Sequence, residues 1–415
     1  MRAQADVAIF GLNFPPEVTG IAPYTGALAA SLTEAGYTVT AHVSHPHYPE
    51  WTVRDGYGEW KRIENHSGVK VVRRAHYVPH SPRGLRRLLS EWSFGLRLVF
   101  ARWRRPSVVV AVSPSLFATA LVALRIRMTV HRPSFFVWVQ DLYTLGLAET
   151  QEGGAIVQRI TRWVESRTLR AADEVVVIHP RFVEYMASEL KVPPSRVRVI
   201  RNWTHLAAPP DIEMSYARTR LGWPLSMTLV VHTGNMGAKQ GLENVVDAAR
   251  VADERNAPVH FILVGDGGER RSLEERAAGV SRVQFVDPLT ADDYPIALAA
   301  ADVLLVNERP GVAAMAVPSK LTSYFNAGRP IIAATDPQGI TAEEIRSAHA
   351  GVVVAAGDPG ALVDAAMSLG RDSQTSGRFA ANGRRYRESE LDVRAATDRW
   401  LSLIAPQLAA RQNAG

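Results

Sequence analysis

Residues 227–335 decide the fold of this chain, and they open with MTLVVHTGN at 227–235. Three comparable runs follow: VHFILVGDGG at 259–268, SRVQFVD at 281–287 and ADVLLVN at 301–307. Each run has the length and composition of a buried strand, and each precedes a loop marked by glycine or proline and then a helical pattern. This alternation predicts a parallel sheet covered by helices, because parallel neighbours must be joined by crossovers.

The loops between these elements carry the ligand chemistry. They are GNMGAKQG at 234–241, GDGGE at 265–269 and PSK at 318–320. In a parallel sheet such loops gather at the carboxyl ends of the strands, where ligands bind. Backbone N–H groups at helix starts, with lysines beside them, suit an anion such as a diphosphate.

Lysine is rare in this chain, so its placement is informative. Two of the lysines stand in the loops above, where a compact, rotatable ammonium suits a phosphate better than a rigid guanidinium. We expect Lys239 and Lys320 to converge on one diphosphate, the alternative being two solvated surface lysines. Only five of the 47 basic residues are lysine: Lys61, Lys70, Lys191, Lys239 and Lys320.

Length and composition narrow the class of protein. A chain of 415 residues suggests two domains. The 47% hydrophobic and 21% charged residues are typical of a globular protein, and no apolar run reaches the length of a membrane span. The chain enters a strand directly at DVAIFGL (6–12), without a signal-peptide pattern, and the absence of cysteine excludes thiolate nucleophiles and disulfides. We therefore expect a cytoplasmic bacterial protein.

The first half predicts a second doubly wound α/β domain. Its helices are predicted at 24–37 and 153–172, and a linker is predicted at the Ala-Ala-Pro-Pro run, 207–210. We place one domain at 1–203 and the other at 204–389, with a last helix from 390 to 415 returning to the first domain. The strand-like runs of the first half lie at 6–14, 38–45, 69–77, 107–113, 134–141, 173–179 and 197–201.

Residues 81–106 form the most basic segment, with aromatic and leucine residues interleaved and Glu91 as the single acid. Such a segment can lie on an anionic lipid surface. The alternative is an ordinary crossover helix that packs its apolar face on the sheet. We expect no nucleic-acid partner, because no recognised binding motif is present. The arginines are Arg83, Arg86, Arg87, Arg97, Arg102, Arg104 and Arg105.

Six segments in order carry a family resemblance: NFPPEVTGIAPYTGALAASLTEAGYTV at 13–39, SHPHYPEW at 44–51, WVQDLY at 138–143, HTGNMGAKQGLENVVDAA at 232–249, ILVGDGGER at 262–270 and VPSKLTSYFNAGRPIIA at 317–333. The chain resembles the retaining glycosyltransferases of family 4, of the GT-B fold, and especially bacterial enzymes of capsule, exopolysaccharide and lipid-linked-glycan assembly. The resemblance implies two Rossmann-like domains facing across a cleft, with a nucleoside-diphosphate sugar as donor.

The resemblance also assigns roles to residues. Asp141, Lys239, Lys320 and Glu308 become the catalytic candidates, with Asp141 orienting the sugar or the acceptor hydroxyl and a helix N-cap as the alternative for it. His45, His47 and Tyr48 lie in an acceptor position, although the two histidines are also explained as polar loop residues. The implied donor contacts are Gly20, Gly234, Asn235, Gly237, Asp266, Gly267, Val286, Pro318, Ser319 and Ser323.

The chain departs from the family pattern at its glutamate pair. Counting back from Gly328, the two glutamate positions hold Ser323 and Met315. Glu308 lies earlier, and it either replaces one of them or is a surface acid. Because the second glutamate commonly holds a ribose hydroxyl, that contact is open. Tyr143 and the two residues after it replace the usual aromatic, proline and acid that follow Asp141, which leaves the donor sugar open.

The resemblance implies transfer with retention from a donor that is commonly a UDP-sugar, with guanosine as the alternative base. No Asp-x-Asp motif stands where a metal bridge to the diphosphate would need one, so we expect metal independence and no cofactor. The acceptor is unknown and can be lipid-linked, which would place the protein at the inner face of the plasma membrane. The rival functions are a nucleotide-sugar epimerase, a non-catalytic nucleotide-sugar-binding partner and a natural-product glycosyltransferase.

Overall fold

The computed structural model describes residues 6–18, 20–80, 84–150, 154–204, 212–311 and 320–412. The chain divides into two compact units, one formed by Met1–Trp203 with Val393–Gly415 and the other by Thr204–Asp392. The predicted linker at 207–210 lies outside the described residues.

Within the described residues, the first unit contains an eight-stranded sheet. Its strands are β1 (Asp6–Gly11), β2 (Thr38–Ser44), β3 (Lys61–His66), β4 (Val69–Arg74), β5 (Val108–Ser113), β6 (Ser134–Val139), β7 (Glu174–Val177) and β8 (Val197–Val199). Their order across the sheet is β3-β4-β2-β1-β5-β6-β7-β8. The predicted strands are all present, and β5 and β6 are buried along their whole length, as expected for central strands of a parallel sheet.

Strand β3 was not predicted. It pairs antiparallel with β4, with Ile63 opposite Val72. Its sequence, KRIENH, holds one apolar residue among polar ones, and none of its six residues is buried. An edge strand needs little apolar surface, so the periodicity that reveals buried strands is missing here.

Seven α-helices and one short 3₁₀ turn of the first unit are described. They are α1 (Ala22–Glu34), α2 (Gly84–Val99), α3 (Leu116–Arg127), α4 (Tyr143–Thr150), α5 (Ala155–Ala171), α6 (Pro180–Ser188), a short 3₁₀ turn at Pro194–Arg196 and the carboxy-terminal α15 (Val393–Gln412). Strands β1, β2 and β4 proceed in one direction across the sheet, and β5 to β8 proceed in the other. Because crossovers are right-handed, α1 lies on one face of the sheet and α2, α3 and α5 lie on the other, where they pack side by side.

The carboxy-terminal helix packs in the first unit, as predicted. Trp400 of α15 meets Trp138 of β6 edge to face at 5.1 Å, and Trp138 stacks on Trp203 at 6.0 Å. All three rings are buried in one core cluster. The helix begins at Val393 and not at 390, because Glu390 still belongs to the preceding helix.

The second unit, in its described part, contains a six-stranded sheet of order β11-β10-β9-β12-β13-β14, in which every strand pair is parallel. The strands are β9 (Thr228–Thr233), β10 (Val259–Val264), β11 (Val283–Val286), β12 (Val303–Asn307), β13 (Ile331–Thr335) and β14 (Gly351–Ala355). The chain starts in the middle at β9 and winds outward in both directions, which is the doubly wound topology predicted from the sequence.

Helices cover both faces of this sheet. They are α7 (Met214–Leu221), α8 (Glu243–Glu254), α9 (Arg270–Arg276), α10 (Asp293–Ala300), α11 (Lys320–Ala327), α12 (Ile340–Ala348), α13 (Pro359–Arg371) and α14 (Ser373–Glu390). Two separate apolar clusters, one on each side of the strands, hold the core. The loops that follow β9, β10 and β12 therefore share the carboxyl edge of the sheet.

Candidate functional site

The glycine loops after β9 and β10 are joined through their backbones. The Gly234 N–H donates to the Val264 carbonyl at 2.8 Å, and the Met236 N–H donates to the Asp266 carbonyl at 2.8 Å. Gly265 has a φ of +139°, and a Cβ added to it would collide with the carbonyl oxygen of Gly234. Only glycine fits here, because both the backbone angle and the close approach exclude a side chain.

The other predicted donor residues lie along the same edge. Asn235 and Asp266 are exposed, Gly237 and Gly267 are half-buried, and Asp266 Oδ1 accepts the Gly267 N–H at 2.8 Å. Half-buried Val286 ends β11, and its carbonyl accepts the N–H of Gly265 at 2.9 Å. Pro318 and Ser319 lie outside the described residues.

Two asparagines that the sequence reasoning missed fix the loop of Lys239. Asn307 Nδ2 donates to the carbonyls of Gln240 and Gly241, both at 2.8 Å. The Oδ1 atom of Asn307 accepts from Asn244 Nδ2 at 2.9 Å. Lys239 itself is exposed, and its carbonyl accepts the N–H of Arg309 at 2.9 Å. The signal for Asn307 was a polar residue at the end of a buried strand.

Lys320 begins α11 and lies against the first glycine loop. Its Nζ atom is 3.1 Å from Nε2 of His232, a fully buried residue of β9. Its Cε and Nζ atoms are 3.8 Å from the position of a Cβ on Gly234. Burial lowers the pKa of Lys320 to about 7, against the attraction of Glu308, which raises it. A half-buried amine beside a glycine loop that exposes backbone is suited to bind an anion.

His232 is held from its other side. Its Nδ1 atom lies 3.2 Å from the Leu305 carbonyl oxygen. A carbonyl can only accept, so Nδ1 carries the proton and Nε2 accepts from Lys320. Burial and the nearby Lys320 lower the pKa of His232 well below its ordinary value, which keeps the ring neutral.

Lys239 lies in the loop after β9 and Lys320 lies at the start of α11, both in the second unit. The structure brings Lys320 against Gly234, while Lys239 is exposed in the following turn. Their convergence on one diphosphate remains a prediction.

Glu308 is not the surface acid that one interpretation proposed. It is 8% exposed, and its two carboxylate oxygens accept the hydroxyls of Thr335 and Thr341, the latter at 2.7 Å. Both threonines are fully buried. Ser323, half-buried, lies one turn after Lys320 in α11. Met315, the other departure from the family pattern, lies outside the described residues.

In the first unit, the loop of Gly20 is held by Glu17, which the sequence reasoning did not single out. One carboxylate oxygen of Glu17 accepts the N–H groups of His47 at 2.8 Å and Tyr48 at 2.9 Å, and the other accepts from Asn13 Nδ2 at 3.0 Å. Gly20 has a φ of +64°, and a Cβ there would be 3.1 Å from the Tyr48 ring. The buried carboxylate thus ties the loop after β1 to the loop after β2. The signal was an acid between two prolines and a glycine.

The histidines predicted to meet the acceptor are both buried. His45 Nε2 lies 2.8 Å from the Glu59 carbonyl, and His47 Nδ1 lies 2.8 Å from the His45 carbonyl. Tyr48 is 37% exposed. A cavity of about 310 Å³ opens between the two loops, lined in part by Glu17, His47 and Tyr48. Of the three predicted acceptor contacts, Tyr48 presents the most surface.

Asp141 is exposed at the carboxyl end of β6, just before α4. Buried Glu165 of α5 holds that turn: Oε1 accepts the Tyr143 N–H at 2.7 Å, and Oε2 accepts the Thr144 N–H at 3.1 Å and its hydroxyl at 2.6 Å. Burial raises the pKa of Glu165 to about 7, against the hydrogen bonds of Thr144, which lower it. Glu165 of α5 therefore accepts the first N–H groups of α4. Nothing in the sequence indicated this contact between the two helices.

Helix α2 reaches the same turn. The Arg87 guanidinium lies 5.1 Å from the centre of the Tyr143 ring and 3.6 Å from the Glu91 carboxylate. Glu91 Oε2 in turn accepts the Phe117 N–H at the start of α3, at 3.1 Å. These contacts connect the basic segment to the loop that carries Asp141. Arg83, in that segment, lies outside the described residues.

The outward sides of α2 and α5 expose large apolar side chains at helical spacing. The fractional exposures lie between 43% and 85% on α2 and the residue after it, and between 50% and 74% on α5. Exposed arginines, including Arg86 and Arg162, lie among them. Part of the basic segment behaves as an ordinary crossover helix, because Phe94 and Leu98 are buried and α2 packs against α3. The exposed apolar residues are Leu85, Leu89, Trp92, Leu96 and Phe100, and Ile156, Val157, Ile160 and Trp163.

None of the described helices combines the length and apolarity that crossing a membrane requires. Within the described parts of the chain, no three His, Asp or Glu side chains come together as a set of metal ligands.

Comparison with known proteins gives the class. Residues 19–203 match the family described as "Glycosyl transferase 4-like domain", and residues 228–372 match "Glycosyl transferases group 1". The chain is 32% identical over 336 residues to the putative colanic acid biosynthesis glycosyl transferase WcaI of Escherichia coli K12, covering 78% of this chain and 81% of that protein. The chain therefore belongs to the family 4 glycosyltransferases.

Solved structures agree on the fold. Sucrose-phosphate synthase from Thermosynechococcus elongatus has a TM-score of 0.71 at 20% identity, over 98% of this chain and 100% of that one. Anabaena Alr3699/HepE, solved in complex with UDP, has a TM-score of 0.66 at 15% identity, over 97% of this chain and 100% of that one. The fold is GT-B, as the resemblance implied.

Proposed function

We propose that this glycosyltransferase transfers a sugar from a UDP-sugar to an acceptor hydroxyl with retention at the anomeric carbon, in the assembly of a bacterial polysaccharide or glycoconjugate. The observation that carries the proposal is the Lys320 amine, which faces the Gly234 loop where backbone groups and a cation suit a diphosphate. The name of the E. coli relative and the UDP complex of HepE support the product class and the base.

The chemical difficulty is the departure of a diphosphate while positive charge develops on the sugar. Lys320, Lys239 and the loop N–H groups would stabilise the negative charge that develops on the leaving group, which is the term that usually dominates catalysis. Retention would follow from attack on the same face as the leaving phosphate, with that phosphate helping to take the acceptor proton. Asp141, exposed at the end of β6, would orient the sugar or the acceptor hydroxyl.

We propose that the reaction needs no metal ion, because lysines and backbone dipoles supply the positive charge that Mg²⁺ supplies elsewhere. Activity that survives exhaustive chelation, with the full rate measured in buffers that contain no divalent ions, supports this proposal. A rate restored only by added Mg²⁺ or Mn²⁺ contradicts it.

The donor is tested with a thermal-shift panel of UDP-, GDP- and TDP-sugars. A ligand at about a hundred times its dissociation constant stabilises the fold by about 2.7 kcal/mol, so one base should separate clearly from the others. The stereochemistry is then tested by proton NMR of the first product, in which the anomeric coupling should match that of the donor. Inversion, or formation of an isomer without any acceptor, contradicts the proposal.

We propose further that the acceptor is lipid-linked and that the face formed by α2 and α5 rests on the inner surface of the plasma membrane. Apolar side chains would enter the headgroup region, and the surrounding arginines would attract anionic lipid. The contact of Arg87 with Tyr143 supports this arrangement, because it connects the face to the Asp141 turn.

The membrane contact is tested by flotation with phosphatidylglycerol-containing vesicles and with phosphatidylcholine vesicles. Leu89→Glu and Ile160→Glu should each weaken binding to the anionic vesicles and leave donor hydrolysis unchanged. Leu225→Glu, at an equally exposed leucine of the second unit, is the matched control. Equal binding by all four proteins, or binding that does not depend on lipid charge, rules the contact out.

A further inference from the structure

The contact between Lys320 and His232 places two basic nitrogens face to face. Lys320 Nζ and His232 Nε2 are 3.1 Å apart, and the imidazole is fully buried. Two cations at this distance in a buried site repel each other strongly, so the pair does not carry two positive charges. The Leu305 carbonyl at Nδ1 places the ring proton on that nitrogen, so Nε2 accepts from Lys320.

We propose that His232 positions Lys320 as a hydrogen-bond donor in the absence of ligand, and that binding of a nucleoside diphosphate draws one proton from solvent onto Lys320. The inference deepens the proposed function and depends on it, because it concerns how the same site receives its donor. His232 acts through Lys320 and is a positioning residue.

The charged groups around Lys320 and His232 determine how a bound diphosphate changes the protonation of Lys320. Glu308 attracts Lys320, but both of its oxygens accept threonine hydroxyls, which spreads its charge. On strand β9, a protonated His232 would disfavour a positive charge on Lys320. The hydroxyls of Tyr324 and Tyr294 both contact the Thr233 hydroxyl, and burial raises the pKa of Tyr324, so that Tyr324 is neutral in the working range. A diphosphate would therefore bring the missing negative charge.

The direction of the pH effect follows from the free state. With a pKa of about 7 for Lys320, the amine is mostly protonated one unit below and mostly neutral one unit above. A bound diphosphate raises that pKa, so proton uptake is small near pH 6 and approaches one proton near pH 8. By linkage, the affinity for the nucleotide falls by up to about tenfold per pH unit above 7.

The test is titration calorimetry of the full-length protein with UDP in buffers of different ionisation enthalpy, at pH 6 and pH 8. The dependence of the measured heat on the buffer gives the number of protons taken up. UDP-glucose, whose diphosphate has no titratable proton in this range, repeats the measurement without a contribution from the ligand. We expect uptake near one proton at pH 8 and near zero at pH 6.

Variants separate the roles. Lys320→Arg keeps a permanent cation, so UDP should bind without proton uptake at either pH. His232→Asn should lower UDP affinity by about twofold to tenfold, the range for one neutral hydrogen bond, and should lessen the pH dependence. His260→Asn, at another largely buried histidine on the adjacent strand β10, is the matched control and should change neither.

The outcomes are distinguishable. UDP that binds wild type at pH 8 with a heat independent of buffer overturns the inference, and so does uptake that persists in Lys320→Arg. If no nucleoside diphosphate binds, the result contradicts the proposed donor class and not the protonation of Lys320. The wild-type measurement needs no variant, so poor folding of His232→Asn would not leave the inference undecided.

Discussion

The two units hold their loops at the carboxyl edge of the sheet by opposite means. In the first unit, buried carboxylates accept backbone N–H groups: Glu17 holds the loops of Gly20 and His47, and Glu165 holds the turn after Asp141. In the second unit, the glycine loops after β9 and β10 hold each other through backbone hydrogen bonds, and the neutral Asn307 side chain donates to the loop of Lys239.

This difference in how the loops are held indicates where an anionic ligand can bind tightly. A carboxylate that accepts several N–H groups uses up the donors that a phosphate would need, and it adds negative charge nearby. The first unit gains fixed loops in this way. The second unit leaves Lys320 as a charge to be matched from outside, so diphosphate affinity should reside there.

The largest expected effect tests the backbone contact of the second unit. Gly265→Ala should destabilise that unit by about 2–4 kcal/mol, the sum of overpacking and a strained positive φ, because the new Cβ would meet the Gly234 carbonyl. Urea unfolding measures the loss. Gly268→Ala, three residues further on with open space around it, should be nearly neutral. Equal stability of the two variants would show that the loops are not tightly joined.

The next prediction concerns the positive charge of Lys320 in the second unit. Lys320→Ala should reduce turnover with donor by about tenfold to over a hundredfold, corresponding to a charge-assisted phosphate bond of about 1.5–3 kcal/mol. Steady-state kinetics and UDP binding measure it. Lys61→Ala, at an exposed lysine of the edge strand β3, is the control. Unaltered kinetics in Lys320→Ala would remove the residue from the site.

A smaller effect tests the carboxylates of the first unit. Glu17→Gln should destabilise the first unit by about 1–3 kcal/mol, since its amide N–H₂ would face donors where a carboxylate oxygen accepts. UDP affinity, which we assign to the second unit, should change little. Glu50→Gln, exposed on the neighbouring loop, is the comparison. A loss of UDP affinity as large as the loss in Lys320→Ala would break the contrast between the units.

The smallest effect concerns pH. Burial raises the pKa of Glu91 to about 7 from 4.5, against the attraction of Arg87. The Glu91 carboxyl keeps its proton to a higher pH in the folded state than in the unfolded chain. The free energy of unfolding therefore falls as pH rises from about 4.5 to 7. Glu91→Gln removes the loss, and weaker bonding to the Phe117 N–H partly offsets the gain. The melting temperature of Glu91→Gln relative to wild type should rise by several degrees between pH 5 and pH 8; a fall would contradict the assigned direction.

Much of the fold could be predicted because its signals are local. The buried runs that became β5, β6, β9 and β10 identify themselves by composition and by the loops that end them. The polar strand β3 has no such signal, since an edge strand gains its partner from tertiary pairing and not from apolar periodicity.

Part of the candidate site can be identified in the sequence for the same reason. Glycines with constrained backbones and rare lysines are visible in a sequence. Glu17, Glu165 and His232 were missed because their roles depend on partners distant in the chain, and a buried polar residue looks the same before its partner is known.

The sequence by itself determined the doubly wound class, the glycine loops and the family, because strand composition, turn chemistry and motif order are properties of neighbouring residues. Only the tertiary structure decided that Lys320 meets His232, whose position in the chain differs by 88. It also decided that Glu308 is buried under two threonine hydroxyls and that the apolar residues of α2 and α5 face outward. Burial and pairing depend on which elements pack together, and they set the charge that each side chain presents.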